Sequence, residues 1–271
     1  MMAIADSRNM YLIRFLSILV FTLFAMGCEQ EKLSIIKLPD GSIYEGRLDK
    51  NGLLTGEGVL RWSTGSIYKG SFRKGLMNGK GSLKKNDGSM HLGLFKDGII
   101  AKGIVKEADG TELKGDFVNG VLEGIGEILY SNGDKYQGKI KNGYEHGKGK
   151  FIAKNGDVII GHFKNGVLNG QGSVKFYQGG NFTGLFSNGL KQGQGEFIYA
   201  NGDKYTGTFL NDKPNGHGIY KRHNGDKYVG LFKNGEFHGL GVYTKRDGKM
   251  LRGYFKYGEF IGKNTNANSK K

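Results

Sequence analysis

Glycine dominates this 271-residue chain, which has 49 glycines but only two prolines, 12% aromatic residues and a formal net charge of +15. The scarcity of proline excludes collagen-like and proline-rich chains, and the aromatic content excludes a flexible glycine-rich linker. No apolar run reaches the 18 residues of a membrane-spanning helix, which excludes a polytopic membrane protein. The glycines must therefore belong to a regular structure.

The N-terminus has the order of a secretory signal peptide, predicted over residues 1–27. Arg8 and Arg14 precede an apolar run of 11 residues, Phe15 to Ala25, and the sequence Ala-Met-Gly-Cys follows and ends at Cys28. The apolar run is too short to span a bilayer. This segment resembles the lipobox of bacterial lipoproteins, which implies diacylation of the Cys28 thiol, cleavage before it and acylation of the new amino group. Cys28 is the only cysteine, so no internal disulfide is possible.

Three outcomes remain open for this segment. The first is lipidation at Cys28, with residues 28–38 as a lipidated linker and Glu29 favouring sorting to the outer membrane by the enterobacterial rule. The second is ordinary cleavage after Gly27, which would give a soluble exported protein. The third is an uncleaved anchor or a chance apolar start.

From residue 39 onward the chain repeats. A Tyr-x-Gly motif, or a variant with another residue in place of tyrosine, recurs every 22–24 residues. Each unit continues with an apolar residue four positions later, then usually Asn-Gly or Lys-Gly, then Gly-x-Gly, then Asn-Gly-Asp or a relative. All glycines except Gly27 and Gly180 fall in this register. The units start at Tyr44, Tyr68, His91, Leu113, Tyr136, Ile159, Phe182, Tyr205, Tyr228 and Leu251.

Each unit predicts two short strands and two turns. In the unit that begins at Tyr205, alternate residues place Tyr205, Gly207 and Phe209 on one face of a strand. Asn-Gly pairs, as at Asn165 and Asn234, supply the positive φ angles that hairpin turns need. Glycine leaves room for an aromatic ring from the neighbouring strand, so glycines and aromatics are interpreted as one packing device.

These motifs resemble those of the MORN (membrane occupation and recognition nexus) repeat family. The resemblance covers residues 39–262 and predicts an all-β fold: an elongated antiparallel meander, a single-layer twisted sheet of nine or ten units of about 23 residues. It also implies a binding or scaffolding module, sometimes dimeric and associated with anionic phospholipids. Residues 263–271 are predicted to be a polar tail. The aromatics that define the repeat are Tyr44, Tyr68, Tyr136, Phe182, Tyr205 and Tyr228.

Two units depart from the pattern. The third, residues 91–111, is one residue short, starts with His91 and has Ala-Lys-Gly in place of Gly-x-Gly. We expect a local kink or a specialised contact there, with simple drift in a tolerant array as the alternative. The eighth unit carries Pro214, which suits a turn but not a paired strand.

Positive charge is concentrated late in the chain. Residues 28–133 contain 15 Lys and Arg against 14 Asp and Glu, whereas residues 134–271 contain 23 against 10, a net charge of +13. Recurring lysines should align along the array and attract an anionic membrane or an acidic protein. The alternative is that they are solvated edge and turn residues that prevent strand addition. The candidate binding lysines are Lys135, Lys141, Lys164, Lys204, Lys227, Lys233 and Lys256.

No catalytic constellation is visible. His146, His217 and His238 are interpreted as residues of the repeat near its turns, and the Gly-x-Gly motifs precede strands rather than the helix that a dinucleotide site needs. The aromatic residues could form a ligand-stacking face, but a packed structural ladder is the preferred interpretation. No enzyme activity, cofactor or metal is predicted, and nucleic acid is not expected as a partner.

The sequence therefore predicts a non-enzymatic, lipid-anchored scaffold of the bacterial cell envelope. It would contact the membrane through Cys28 and hold an acidic partner or an anionic membrane surface through the basic units. The alternative is a structural rod or homodimer that spaces the envelope without a specific ligand.

Overall fold

The computed structural model describes residues 33–263, and within that range it contains 21 β-strands and no helix. The all-β prediction is confirmed. The predicted signal peptide, Cys28 and most of the polar tail lie outside the described residues. In chain order the strands are β1 (Ser34–Lys37), β2 (Ile43–Leu48), β3 (Leu54–Arg61), β4 (Ile67–Arg73), β5 (Leu76–Lys84), β6 (Met90–Lys96), β7 (Ile99–Lys106), β8 (Glu112–Val118), β9 (Val121–Leu129), β10 (Lys135–Lys141), β11 (Tyr144–Ile152), β12 (Val158–Lys164), β13 (Val167–Lys175), β14 (Asn181–Ser187), β15 (Leu190–Ile198), β16 (Lys204–Leu210), β17 (Lys213–Lys221), β18 (Lys227–Lys233), β19 (Glu236–Thr244), β20 (Met250–Lys256) and β21 (Glu259–Gly262).

The chain divides into two compact units, one ending at Glu123 and one beginning at Gly124. In the first unit, β1 to β7 each pair antiparallel with the next strand. In the second, β9 pairs with β10 through residues 124–129, and the same pattern continues to β21. Each unit is therefore an antiparallel meander of hairpins, as predicted.

The two-residue Asn-Gly turns have the backbone that their sequence predicts. At Asn165 and Gly166 the φ angles are 50° and 85°, and at Asn234 and Gly235 they are 52° and 95°. Two consecutive residues with positive φ are typical of the two-residue turn that matches the twist of the flanking strands. The Asn-Gly turns predicted from sequence are thus confirmed.

The glycines make room for the tyrosine rings. Tyr136 is 2% exposed, and its ring lies over Gly138 of its own strand and over Gly149, the residue paired with Gly138 on β11. A Cβ atom added to Gly149 would lie 2.3 Å from the Tyr136 hydroxyl oxygen. The ring therefore covers a glycine of its own strand as well as the predicted glycine of the neighbouring strand.

Neighbouring repeats are joined by edge-to-face aromatic contacts. The Tyr205 ring centroid lies 5.0 Å from that of Phe209 in the same strand and 4.8 Å from that of Phe232, one repeat later. The Tyr205 hydroxyl donates to the Thr208 carbonyl oxygen at 2.9 Å. Such pairs contribute beyond the area they bury, so the core of each repeat is this row of rings on one face of the sheet.

The irregular third unit keeps its strand pairing. β6 pairs with β5 and β7 along its length, and its register shift between Leu94 and Phe95 has counterparts in other repeats, as between Gly161 and Phe163. The expected kink therefore does not interrupt the strand pairing. His91 occupies the place of the repeat tyrosine, where burial lowers the pKa of its imidazole to about 4.

Pro214 corrects one expectation, because it lies inside the paired strand β17. It stands opposite Phe209, next to the Leu210–Lys213 pair that closes the two-residue turn. A pair in this position lies between the hydrogen-bonded pairs of an antiparallel ladder, so pairing with β16 needs no N–H from residue 214. The Pro214 carbonyl oxygen accepts a hydrogen bond from the N–H of Gly235 at 2.8 Å.

Candidate functional site

The strands of the second unit present two unlike faces. In β18, Tyr228, Gly230 and Phe232 point to the face that carries the buried rings, which we call the aromatic face. The alternate residues, from Lys227 to Lys233, point to the opposite face, which we call the outer face. A partner that binds the recurring lysines would therefore contact the outer face.

All seven lysines predicted as binding residues lie on the outer face of the second unit. They occupy either the first or the last position of a short strand, which the alternation of side chains turns away from the rings. Lys204 and Lys227 are half-buried and the other five are exposed. Lys135, Lys204 and Lys227 begin β10, β16 and β18, and Lys141, Lys164, Lys233 and Lys256 end β10, β12, β18 and β20.

Protection of sheet edges does not explain these lysines. The strands that carry them, β10, β12, β16, β18 and β20, are each paired on both sides. Lys204 forms an ion pair with Glu196 at 2.8 Å, and the Lys256 ammonium lies 5.4 Å from the centroid of the Tyr257 ring. The lysines thus lie beside the turns of strands inside the sheet rather than on an edge strand.

The outer face of the first unit has a different character. Leu92 and Leu94, in the irregular third repeat, are 57% and 44% exposed. Together with Lys80, Lys102 and Glu57 they line a shallow groove of about 610 Å³. Apolar and basic groups are mixed here, whereas basic residues are in excess on the second unit.

The six repeat-defining aromatic residues are unavailable for stacking on a ligand. Each is at most 2% exposed, and their rings pack over glycines and against neighbouring rings. Burial raises the pKa of Tyr136 to about 12, so its hydroxyl remains a hydrogen-bond donor at neutral pH. These residues are Tyr44, Tyr68, Tyr136, Phe182, Tyr205 and Tyr228.

The aspartate of the Asn-Gly-Asp turn connects successive repeats, a role that sequence reasoning missed. Asp203 accepts hydrogen bonds from the Tyr220 hydroxyl at 2.6 Å and from the backbone N–H of His223 at 2.9 Å. Burial alone would raise the pKa of Asp203, but these hydrogen bonds and one from the His223 ring outweigh burial and hold the pKa below its usual range. Asp226 accepts equivalent hydrogen bonds from Tyr243 and Arg246. A sequence pattern could have predicted this role, because in two successive repeats the aspartate is followed by a tyrosine 17 residues later.

Lys191 is a second feature that the sequence analysis missed. Its side chain is only 16% exposed and pairs with Asp212 at 3.0 Å, while its ammonium lies 5.7 Å from the centroid of Phe182. Hydrogen bonds and charge from Lys191 lower the pKa of Asp212 against the opposing effect of burial. Lys191 is therefore tied into the turn of the next repeat and is not part of the outer basic surface.

The histidines do not converge on a common site. His146, His217 and His238 lie on β11, β17 and β19 respectively. Residues 33–263 contain no group of three or more His, Cys, Asp or Glu side chains that could hold a metal ion. In the same range no helix has the length and apolarity needed to cross a membrane.

Comparison with protein families identifies the repeats. The MORN repeat model matches eight segments that together cover more than half of the chain: residues 44–67, 68–90, 114–135, 136–158, 160–180, 182–204, 205–227 and 228–250. The chain belongs to the MORN repeat family. The residues left between the second and third matches, 91–113, correspond to the irregular third repeat.

Comparisons of whole sequences and structures add little to the family match. No curated protein matches the sequence. Among solved structures, the chain is similar to the TCP domain of Drosophila melanogaster SAS-4 in complex with a proline-rich motif of Ana2, at 12% identity and a TM-score of 0.31, with 86% of this chain and 96% of that chain covered. The G-box domain of the microcephaly protein CPAP matches at 11% identity and a TM-score of 0.33, with 83% and 100% covered. A mutant TCP10 domain of Danio rerio CPAP matches at 9% identity and a TM-score of 0.32, with 80% and 96% covered. Similarity this low does not bear on the function of the MORN repeats.

Proposed function

We propose that this chain is a non-enzymatic, lipid-anchored scaffold of the bacterial envelope that holds an anionic membrane surface or an acidic protein on the outer face of its second unit. Its MORN repeats already give it the architecture of a binding or scaffold protein. The observation that supports the anionic partner is the alignment of the seven lysines on one face, on strands that have no edge to protect.

The physical basis is two rows of like charges on the outer face, one where the short strands begin and one where they end. Successive repeats of a hairpin sheet lie about 10 Å apart, which is close to the Debye length at physiological ionic strength. The fields of lysines in adjacent repeats, such as Lys204 and Lys227 or Lys233 and Lys256, therefore overlap and attract an extended anion more strongly than an isolated lysine would. Residues 28–133, with 15 Lys and Arg against 14 Asp and Glu, contribute little to this attraction.

The anchor is proposed at Cys28, which would be lipidated after cleavage of residues 1–27, with the outer membrane as the favoured location. Two or more acyl chains hold a protein stably on a membrane, whereas one chain does not. Labelling of cells that express the unaltered chain or the Cys28→Ser variant with radioactive palmitate tests this step. We expect label in the unaltered chain and none in the variant, and an unlabelled unaltered chain would refute lipidation.

The binding surface is tested separately, by vesicle flotation of the full chain carrying Cys28→Ser. In this background Lys204, Lys227, Lys233 and Lys256 are replaced together by glutamine. A basic residue near an anionic membrane contributes about 1 kcal/mol, so the loss of four lysines should weaken binding to phosphatidylglycerol vesicles on the order of 1,000-fold.

A matched control removes the same charge from the outer face of the first unit, by replacing Lys69, Lys80, Lys84 and Lys96 with glutamine. This control should bind almost as well as the unaltered chain. Equal losses in the two fourfold variants would contradict the proposal. If the chain binds neither vesicles nor acidic proteins and sediments as a stable dimer, the spacer function replaces the binding function.

A further inference from the structure

Three lysines lie side by side on the outer face of the second unit. Lys204 on β16 stands directly opposite Lys221 on β17, and Lys221 stands directly opposite Lys227 on β18. Directly opposed residues of antiparallel strands have Cβ atoms about 4.5–5.5 Å apart and point to the same face. The three ammonium groups can therefore reach a single small ligand. We call these residues the lysine triad.

The triad belongs to a row of residues that stand opposite one another on successive strands, at the start of each even-numbered strand and the end of each odd-numbered strand from β1 to β20. It is unusual within this row. Like charges directly opposite one another destabilise a sheet, and the other basic residues of this row in residues 33–263 avoid that arrangement. Each of them has only apolar, polar or acidic residues opposite. The others are Lys37 opposite Ile43, Arg61 between Ile43 and Ile67, Lys84 between Ile67 and Met90, Lys106 between Met90 and Glu112, Lys135 between Leu129 and Ile152, and Lys175 between Val158 and Asn181.

The charge of the triad is only partly neutralised. Glu196 on β15 pairs with Lys204 at 2.8 Å, and among the described residues Lys221 and Lys227 have no ion-pair partner. Asp203 and Asp226 precede Lys204 and Lys227, but their carboxylates accept hydrogen bonds from Tyr220 and Tyr243, which belong to the aromatic face. Three ammonium groups and one carboxylate leave about two uncompensated positive charges on the outer face.

A further donor stands at the end of the triad. Thr244 on β19 lies directly opposite Lys227 and adds a hydroxyl group to the row. The site therefore offers three ammonium groups and a hydroxyl, all of which can donate to oxygen. A ligand that fits must carry about two negative charges and several acceptor oxygens in a compact group.

We propose that the lysine triad is a binding site for a phosphomonoester group. At neutral pH such a group carries a charge of about −1.5 to −2 and three strong acceptor oxygens, which match the uncompensated charge and the donors of the site. A phosphodiester or a carboxylate carries only one negative charge and leaves the site half neutralised. This proposal rests on the proposed function and names the chemical group that the basic outer face recognises. The group can belong to a soluble phosphomonoester or to a lipid headgroup.

The soluble form is tested by a nuclear magnetic resonance titration of the full Cys28→Ser chain with phenyl phosphate at physiological ionic strength. Backbone amide shifts should concentrate at Lys204, Lys221 and Lys227. A hydrogen bond to a charged group contributes about 1.5 kcal/mol or more, so Lys221→Gln should lower the affinity about tenfold or more. Lys175→Gln removes the same charge from an isolated lysine of the same row, and should change the affinity less than about twofold.

Two results would overturn the site. One is an equal effect of Lys221→Gln and Lys175→Gln, which would mean that only total charge matters. The other is equal affinity of the unaltered triad for phenyl phosphate and for the diester diphenyl phosphate. The second comparison needs no substitution at the triad, so it remains decisive even if Lys221→Gln disturbs the fold.

Vesicles identify the source of the group and separate this proposal from the proposed function. Selective loss of binding to phosphatidic acid vesicles in Lys221→Gln, with phosphatidylglycerol binding retained, supports a lipid headgroup. Phenyl phosphate binding without a preference for phosphatidic acid supports a soluble ligand. If phosphatidylglycerol binding depends on the four lysines but phenyl phosphate does not bind at the triad, the site is wrong and the proposed function stands. If phenyl phosphate binds at the triad but neither vesicles nor acidic proteins bind, the triad site stands and the proposed function is wrong.

Discussion

Replacing Gly149 by alanine tests the packing of rings over glycines. The added Cβ would lie 2.3 Å from the Tyr136 hydroxyl oxygen and 2.5 Å from two atoms of the ring. The ring is 2% exposed and its hydroxyl donates to the Lys139 carbonyl oxygen at 2.8 Å, so it must move by about 1 Å and give up that hydrogen bond. Overpacking costs about 1–3 kcal/mol and the hydrogen bond about 1 kcal/mol, while the stiffer unfolded chain offsets about 0.4–1 kcal/mol. We expect the free energy of unfolding to fall by about 2–3 kcal/mol.

The matched control is Gly172→Ala, in the same glycine row but in a repeat that has Ile159 in place of the tyrosine. There the nearest atoms to an added Cβ lie at 3.2 to 3.3 Å, so the change should stay within about 1 kcal/mol. Urea unfolding followed by circular dichroism measures both variants. In a Tyr136→Val background, the cost of Gly149→Ala should drop to that of the control. Equal costs for the two glycines, or an unchanged cost without the ring, would refute the packing argument.

Three further predictions concern single positions. Hydrogen bonds hold the pKa of Asp203 below its usual range, so the stabilising contribution of Asp203 is complete above about pH 4 and is lost as the pH falls through the folded-state pKa. The urea unfolding midpoint should therefore fall more between pH 7 and pH 2 in the unaltered chain than in Asp203→Asn. Parallel curves for the two chains would contradict this assignment. Burial lowers the pKa of His91 to about 4, so His91 is protonated in the unfolded chain before it is protonated in the folded one. The free energy of unfolding should therefore fall as the pH falls from about 6.5 to 4. His91→Tyr, which restores the repeat residue, should remove that part of the pH dependence. Because the ladder to β16 needs no N–H at position 214, Pro214→Ala should change the free energy of unfolding by about 1 kcal/mol or less, and a loss of several kcal/mol in urea unfolding would show that the ring of Pro214 has a structural role.

The sequence predicted the repeat well because its signals are local. The alternation in Tyr205, Gly207 and Phe209 and the Asn-Gly turns each lie within a few residues, and they determine the strands and hairpins. The glycine row follows from the same register. For these features a single sequence with ten similar units was sufficient.

Contacts that cross repeats were harder to predict, because they depend on the exact pairing register. A shift between Gly207 and Phe209 moves the pairing of β16 and β17, so that Lys204 stands opposite Lys221. Continuing the register from the Phe209–Pro214 pair without that shift would instead place Lys204 opposite Ile219. Lys221 ends a long strand, whereas Lys204 and Lys227 begin short ones, so the sequence alone did not connect the three.

The burial of individual polar residues was also beyond the sequence. Asp203 and Lys191 look like ordinary surface residues, and both gain partners from the next repeat, His223 and Asp212. Only the stacking of consecutive hairpins brings these pairs together. The apolar outer face of the third repeat follows, in contrast, directly from the alternation of Leu92 and Leu94 in β6.

The most direct test of the central claim is the salt dependence of binding to phosphatidylglycerol vesicles by the full Cys28→Ser chain. Because salt screens exposed charges, binding should weaken steeply as salt rises from about 50 to 500 mM. The variant without Lys204, Lys227, Lys233 and Lys256 should give a much flatter curve, and the matched variant of the first unit should keep the steep one. Identical curves for the two variants would contradict the assignment of binding to the basic outer face of the second unit.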